Sequence, residues 1–305
     1  MACETYLQAE NLIAPIFIVE GENIEKEIAS LPGYYKRSLD LSIIEIEALW
    51  KLGIRCILLF AKCDDNKKDN LGTEAVNKNG LMQRSIRAIK KALPEICIMS
   101  DVALDPYSIY GHDGLVENNK IVNDKTVNVL CKMAVSHAEA GADFVAPSDM
   151  MDGRIGAIRQ ELEANGFHET GIMSYSAKYA SCFYGPFRDA LDSSPAFGDK
   201  KTYQMNSANR LEAIREALLD VDEGADIIMI KPALSYLDII REIKNQVKIP
   251  VSAYHVSGEY AMIKAAAQKG WIDEKQAIWE TTISIKRAGA NLLATYFAKD
   301  IAMML

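Results

Sequence analysis

The stretch Gly224-Ala-Asp226-Ile-Ile-Met-Ile-Lys231-Pro-Ala-Leu-Ser-Tyr-Leu-Asp-Ile-Ile240 decides how this chain is read. A glycine suited to the left-handed close of a helix leads through Ala-Asp into an unbroken apolar run, and the run stops on lysine and proline. A strand that is apolar without alternation belongs in a parallel sheet covered on both faces. A lysine at the end of such a strand is expected to be buried. Burial penalises the ammonium form and lowers the pKa, and the free amine is the species that attacks a carbonyl to form an imine.

The same pattern recurs outward from this stretch. Strand-like runs fall at 12–19, 54–60, 96–101, 143–147, 171–176, 226–231, 250–255 and 291–296, about eight in all. Helical spacing fills intervals between them, as at 42–52, 79–93, 127–140, 153–165 and 209–223. Gly-Ala-Asp or Gly-Ala-Asn follows a helix and opens a strand at Gly141, Gly224 and Gly289, an αβ-loop signal. Alternation of this kind predicts an α/β fold, a (β/α)8 barrel in one domain over residues 1–305. A doubly wound open sheet would more typically bring a glycine-rich phosphate loop after a strand, and the sequence has none. The tract 178–208 contains Gly185-Pro186 and Ser194-Pro195 and is too long for a simple connector, so it is expected to form a lid. Residues 1–10 read as a short N-terminal arm.

Composition bounds the partners. The 305 residues are 49% hydrophobic and 25% charged, ordinary for a chain that buries a large core, and the net charge is −8. Such a balance excludes nucleic acid and anionic membrane as main partners. Cys3, Cys56, Cys63, Cys97, Cys131 and Cys182 show no C-x-x-C spacing and read as thiols of a reducing compartment. With no signal sequence or membrane span, the expected location is the cytoplasm, or a plastid if a transit peptide has been removed.

Barrel enzymes work at the C-terminal ends of their strands. Those ends carry Asp101, Ser148-Asp149, Lys178, Lys231, His255-Val-Ser257 and Thr295-Tyr296. One strand-end lysine alone would read as a snorkelling or ion-paired side chain; two on neighbouring strands favour imine chemistry, each easing deprotonation of the other. Arg188, Lys200, Lys201 and Gln204 on the lid suit a substrate carboxylate, although alone they would read as a solvated charge cluster. Asp101 is a candidate general base. The loop Asp101-Val-Ala-Leu-Asp105-Pro-Tyr-Ser-Ile-Tyr-Gly-His112-Asp113-Gly could hold a hard cation, or its aspartates could cap turns.

Taken together, these strings closely resemble the porphobilinogen synthase (5-aminolaevulinate dehydratase) family: the Asp101–Gly114 loop, Val145-Ala-Pro-Ser-Asp-Met-Met-Asp-Gly-Arg154, Ser174-Tyr-Ser-Ala-Lys178, Tyr184-Gly-Pro-Phe-Arg188, Met229-Ile-Lys231-Pro and Tyr254-His-Val-Ser257-Gly-Glu259. The resemblance implies condensation of two 5-aminolaevulinate molecules to porphobilinogen in tetrapyrrole biosynthesis. It makes Lys231 the first imine-forming residue and Lys178 its tuner and the second. It places Ser257 and Tyr296 on one substrate carboxylate, Arg188, Lys200 and Gln204 on the other, and Tyr175, Tyr184 and Phe187 along the pocket. Zinc-dependent members carry three cysteines where this chain has Ala103, Asp105 and Asp113, so no active-site zinc is expected. Glu216 stands where magnesium-responsive members bind an allosteric Mg2+, and a homo-octamer, hexamer or dimer is implied. Position 200 is expected to be arginine; lysine keeps the charge and loses the bidentate fork. Two other readings compete: a class I aldolase, which needs only one such lysine, and an inert barrel that binds ligands or partners.

Overall fold

Each of the eight apolar runs forms a strand, and all eight pair in parallel. The computed structural model describes residues 2–305. Its strands are β1 (Leu12–Val19), β2 (Cys56–Ala61), β3 (Cys97–Val102), β4 (Phe144–Pro147), β5 (Gly171–Lys178), β6 (Ile227–Lys231), β7 (Val251–His255) and β8 (Leu292–Thr295). Neighbours in sequence are neighbours in the sheet, and β8 returns to β1 through Leu12↔Leu293 and Ile13↔Ala294. The sheet is thus a closed barrel without free edges among these strands, surrounded by helices, the (β/α)8 architecture.

The surrounding helices are α1 (Leu39–Lys51), α2 (Leu81–Ala92), α3 (Asn123–Ala140), α4 (Arg154–Ala164), α5 (Gly185–Leu191), α6 (Leu211–Asp222), α7 (Leu237–Gln246), α8 (Ser257–Gln268), α9 (Glu274–Ala288) and α10 (Ala298–Ala302). Apolar stripes such as Ile239, Ile240 and Ile243 on α7 are buried against the barrel. Each such side chain removed from water contributes on the order of 1.5–3 kcal/mol.

The repeated Gly-Ala-Asp/Asn phrase has a concrete job. Gly141 and Gly224 sit at φ +103° and +100°, values that only glycine adopts without strain. Two residues on, Asp143 accepts the Ile98 N–H at 2.7 Å, Asp226 accepts that of Ile172 at 2.8 Å, and Asn291 accepts that of Val251 at 3.1 Å. Each side chain thereby caps the first residues of the preceding strand and sets the register at the barrel floor.

Two additions were not read from the sequence. Tyr35–Ser38 extends β1 in parallel through Phe17↔Lys36 and carries Glu25–Glu27 antiparallel at its outer edge. A small hairpin pairs Val116–Glu117 with Lys120–Ile121. Residues 2–8 have no regular structure, although Leu7 is buried. The tract after β5 contains α5, then irregular chain to α6, and lies across the C-terminal end of the barrel.

Candidate active site

Lys231 ends β6 and is 4% exposed. Four aromatic rings surround its amine, with centroids at 4.7 Å (Tyr254), 4.8 Å (Phe187), 5.1 Å (Tyr184) and 5.3 Å (Tyr175). Burial lowers its pKa to about 7, helped by the Lys178 ammonium and opposed by Asp101, Asp105 and Asp113. A sizeable fraction of this amine is therefore free near neutrality, the condition for attack on a ketone.

Lys178 is the register partner of Lys231 on β5. An irregularity produces that pairing: Ile228 pairs with Ser174 and Ile230 with Ala177, so three steps along β5 match two along β6. Ser174 faces the helices and donates to Asp220 of α6 at 2.5 Å. Strict alternation would send Lys178 outward as well, and the bulge turns it inward instead. There its amine donates to the Ser148 carbonyl and lies 3.5 Å from Asp113.

Carboxylates complete the floor of the site. Buried Asp101, at the end of β3, accepts from Ser148 Oγ at 2.7 Å, and burial together with Asp105 pushes its pKa up to about 7. Asp113 is also buried, which by itself would raise its pKa, but Lys178 and Lys200 outweigh that and hold it below the usual range. Lys200 lies 2.6 Å from Asp113 and 3.4 Å from Asp105 and is itself buried. Asp113 is therefore an acceptor for Lys200 and an ion-pair partner of Lys178 rather than a turn cap, and the cation between Asp105 and Asp113 is an ammonium group from the chain itself.

Asp101, Asp105, Asp113, Ser148, Lys178, Tyr184, Phe187, Arg188, Lys200, Gln204 and Lys231 surround one cavity. Gln204 is buried with its side-chain oxygen unpartnered. The Arg188 guanidinium has no ion-pair partner among the described residues, whereas Lys200 already pairs with Asp105 and Asp113. The space measures 20 Å3, about room for one water.

Three expected residues stand apart. Ser257 opens α8 and uses its hydroxyl to join the tract, donating to the Phe183 carbonyl at 3.2 Å and accepting from the Phe187 N–H at 3.1 Å. Tyr296 accepts from Tyr254 Oη at 3.1 Å and borders a neighbouring cavity with Phe17 and Tyr34. Glu216 lies outside the barrel on α6, in a groove of 290 Å3 with Glu212, Asp220 and Glu223. Sequence reading missed Tyr254 as part of the site, its place near a strand end being the only signal available; Ser148, read as a strand-end residue, enters the site through its hydroxyl on Asp101 and its carbonyl on Lys178.

A strand-end amine of depressed pKa, paired with a second lysine beneath a cationic cover, is the arrangement of a barrel enzyme equipped for imine chemistry. The chain belongs to the delta-aminolevulinic acid dehydratase family, whose model matches residues 1–304. It is 52% identical over 305 residues to the delta-aminolevulinic acid dehydratase of Halalkalibacterium halodurans, covering all of this chain and 92% of that one. The Chlamydia pneumoniae enzyme of the same name is 51% identical with the same coverage. The solved structure of the Toxoplasma gondii enzyme, in complex with the reaction product porphobilinogen, superposes with a TM-score of 0.98 at 50% identity, over 100% of this chain and 87% of that one. An aldolase, QR15, shares the fold at 12% identity and a TM-score of 0.52.

Proposed function

We propose that Lys231 forms the first imine in the condensation of two 5-aminolaevulinate molecules to porphobilinogen, with loss of two waters. That condensation is the reaction of the family, and the enzyme is a hydro-lyase of tetrapyrrole synthesis. The single observation that carries the residue assignment is the buried Lys231 amine, its pKa near 7, register-paired with Lys178.

The free amine of Lys231 attacks the ketone carbon of one substrate, and the oxygen leaves as water after proton transfer. Asp101, with a pKa near that of Lys231, can hand over and recover protons at neutral pH. The protonated imine withdraws electrons better than the ketone and acidifies the adjacent carbon for carbon–carbon bond formation. Lys178 takes the second substrate in the same way. Arg188, Lys200 and Gln204 hold one substrate carboxylate, Ser257 and Tyr296 the other, and Tyr175, Tyr184 and Phe187 exclude water around the amine. Fixing two identical molecules by their carboxylates makes their encounter effectively intramolecular.

Zinc does not fit this chain. Ala103 offers no donor, Asp105 and Asp113 are oxygen ligands where zinc favours thiolate and imidazole, and both carboxylates already hold Lys200. Glu216 lines a groove with Glu212, Asp220 and Glu223, and carboxylate oxygens suit Mg2+; no three acidic, histidine or cysteine side chains among the described residues form a ready metal cluster, so an allosteric Mg2+ at Glu216 would take its remaining ligands from water or a partner subunit. The substrate is a small molecule, and we place the protein in the cytoplasm. No helix among the described residues is long and apolar enough to cross a membrane.

Borohydride reduction in the presence of 5-aminolaevulinate, followed by peptide mass spectrometry, tests the assignment. An adduct on Lys231 is expected, absent from Lys231→Met. An adduct confined to another lysine, or none in an active preparation, overturns it.

A further inference from the structure

The arch Phe197–Tyr203 carries Lys200 over the site, and both of its ends meet one buried imidazole. His112 Nε2 lies 3.1 Å from the Phe197 carbonyl oxygen, and His112 Nδ1 lies 3.1 Å from Tyr203 Oη. A carbonyl oxygen only accepts, so Nε2 carries the hydrogen and Nδ1 accepts from the tyrosine O–H. Tyr203 Oη accepts in turn from the Asp113 N–H at 3.3 Å. The imidazole also packs on the Phe197 ring, with centroids 4.7 Å apart. Every donor and acceptor in this chain of bonds is matched by a neutral His112, and burial, its largest influence, keeps the pKa below 6.5.

The backbone on both sides supports the same contact. The Ala196 N–H donates to the Tyr110 carbonyl at 2.9 Å, and a side chain at Gly111 would meet the Ser194 carbonyl oxygen at 2.2 Å. Within the arch, the N–H groups of Tyr203 and Gln204 donate to the Lys200 carbonyl at 3.3 and 2.9 Å. Fixing Phe197 and Tyr203 therefore fixes the height of Lys200 above Asp105 and Asp113.

We propose that His112 is a positioning residue that staples both ends of the Phe197–Tyr203 arch to the β3 loop and so sets Lys200 and Gln204 at the height needed to hold a substrate carboxylate. The carboxylate part rests on the reading given above; the staple does not. His112 acts through the arch and transfers no proton to substrate.

Two measurements on the full-length enzyme separate these parts. Amide hydrogen exchange across 194–206 reads the staple, and steady-state kinetics with 5-aminolaevulinate read its consequence. His112→Ala is expected to speed exchange in the arch and to raise KM, each by about tenfold, as loss of two hydrogen bonds predicts, with kcat within about twofold of wild type. His112→Gln retains an N–H donor near the Phe197 carbonyl and should recover part of both losses. Tyr203→Phe should show a similar change, and the double variant His112→Ala/Tyr203→Phe should be no worse than the more severe single one. Unchanged exchange overturns the staple. Faster exchange with unchanged KM overturns only the carboxylate role, and a fall in kcat with exchange and KM intact would make His112 a direct participant instead. If His112→Ala does not fold, His112→Gln and Tyr203→Phe decide the matter: independent, additive penalties refute the proposal.

Discussion

The two lysines differ in what sets their charge, and that difference can be measured. Lys231 is lowered to about 7 by burial first and Lys178 second, while Asp101, Asp105 and Asp113 pull it back up. Because the free amine attacks, the rate of imine formation should rise with pH through about 7 and level off above it. Lys178→Met removes the second cause and leaves the first, so the midpoint should move upward yet stay below 10.5. Single-turnover imine formation across pH checks this, and a midpoint unmoved or lowered counts against the pairing. Asp113→Asn acts oppositely, since it removes a group that raises the Lys231 pKa; the midpoint should fall. It also strips two buried ammonium groups of a partner, at a cost of about 3–5 kcal/mol in unfolding free energy, measurable by urea denaturation. Lys231 was legible in the sequence because it closes an apolar run, and Lys178 because it stands two residues past the end of another. Asp113 was not: nothing in Gly-His-Asp-Gly shows that it meets Lys200, 87 positions away.

Among the elements, all eight barrel strands could be read from their apolar runs, with ends displaced by a residue or two. The β5 strand is the instructive exception, continuing to Lys178 where the run suggested an end at Ser176. A fully buried strand has lost the alternation that would reveal a bulge, so the inward turn of Lys178 exists only in the pairing with β6. The Tyr35–Ser38 extension was equally hidden, because Tyr-Lys-Arg-Ser has no apolar run and takes its strand form from β1. The junction of α8 with the covering tract yields a prediction of its own. A side chain at Gly258 would meet the Phe183 Cα at 2.6 Å and carbonyl oxygen at 2.7 Å, beside the bonds that tie Ser257 to Phe183 and Phe187. Gly258→Ala should lower stability by about 1–3 kcal/mol through overpacking and raise KM for 5-aminolaevulinate, as Phe187 is pushed from its place 4.8 Å from Lys231. Thermal unfolding and initial rates check both; a fully stable variant with unchanged KM would show that the tract yields without consequence for the site.

For the molecule as a whole, the proposed Mg2+ at Glu216 would act on the lysines through helix α6. Helix α6 reaches from the acidic groove to the barrel wall: Glu216 and Glu212 line the groove, while Asp220 takes the Ser174 hydroxyl on β5, four residues before Lys178. The outer face of the same helix exposes Leu211, Leu218 and Leu219, an apolar surface of the sort that a partner subunit covers. A Mg2+ ion in the groove would neutralise carboxylates that otherwise repel an approaching acidic chain of net charge −8. Mass and activity should therefore rise together as Mg2+ is added to chelator-treated protein, followed by light scattering and initial rates on the same samples. Glu216→Gln should abolish the response of both, and Leu218→Glu should hold the mass down at saturating Mg2+. Zinc chelation alone should leave activity largely intact, since Asp105 and Asp113 already hold Lys200; a loss that only zinc restores would refute that part. If Mg2+ raises activity while the mass stays constant, the ion acts within one subunit, through Asp220 and Ser174, and the exposed leucines serve another purpose.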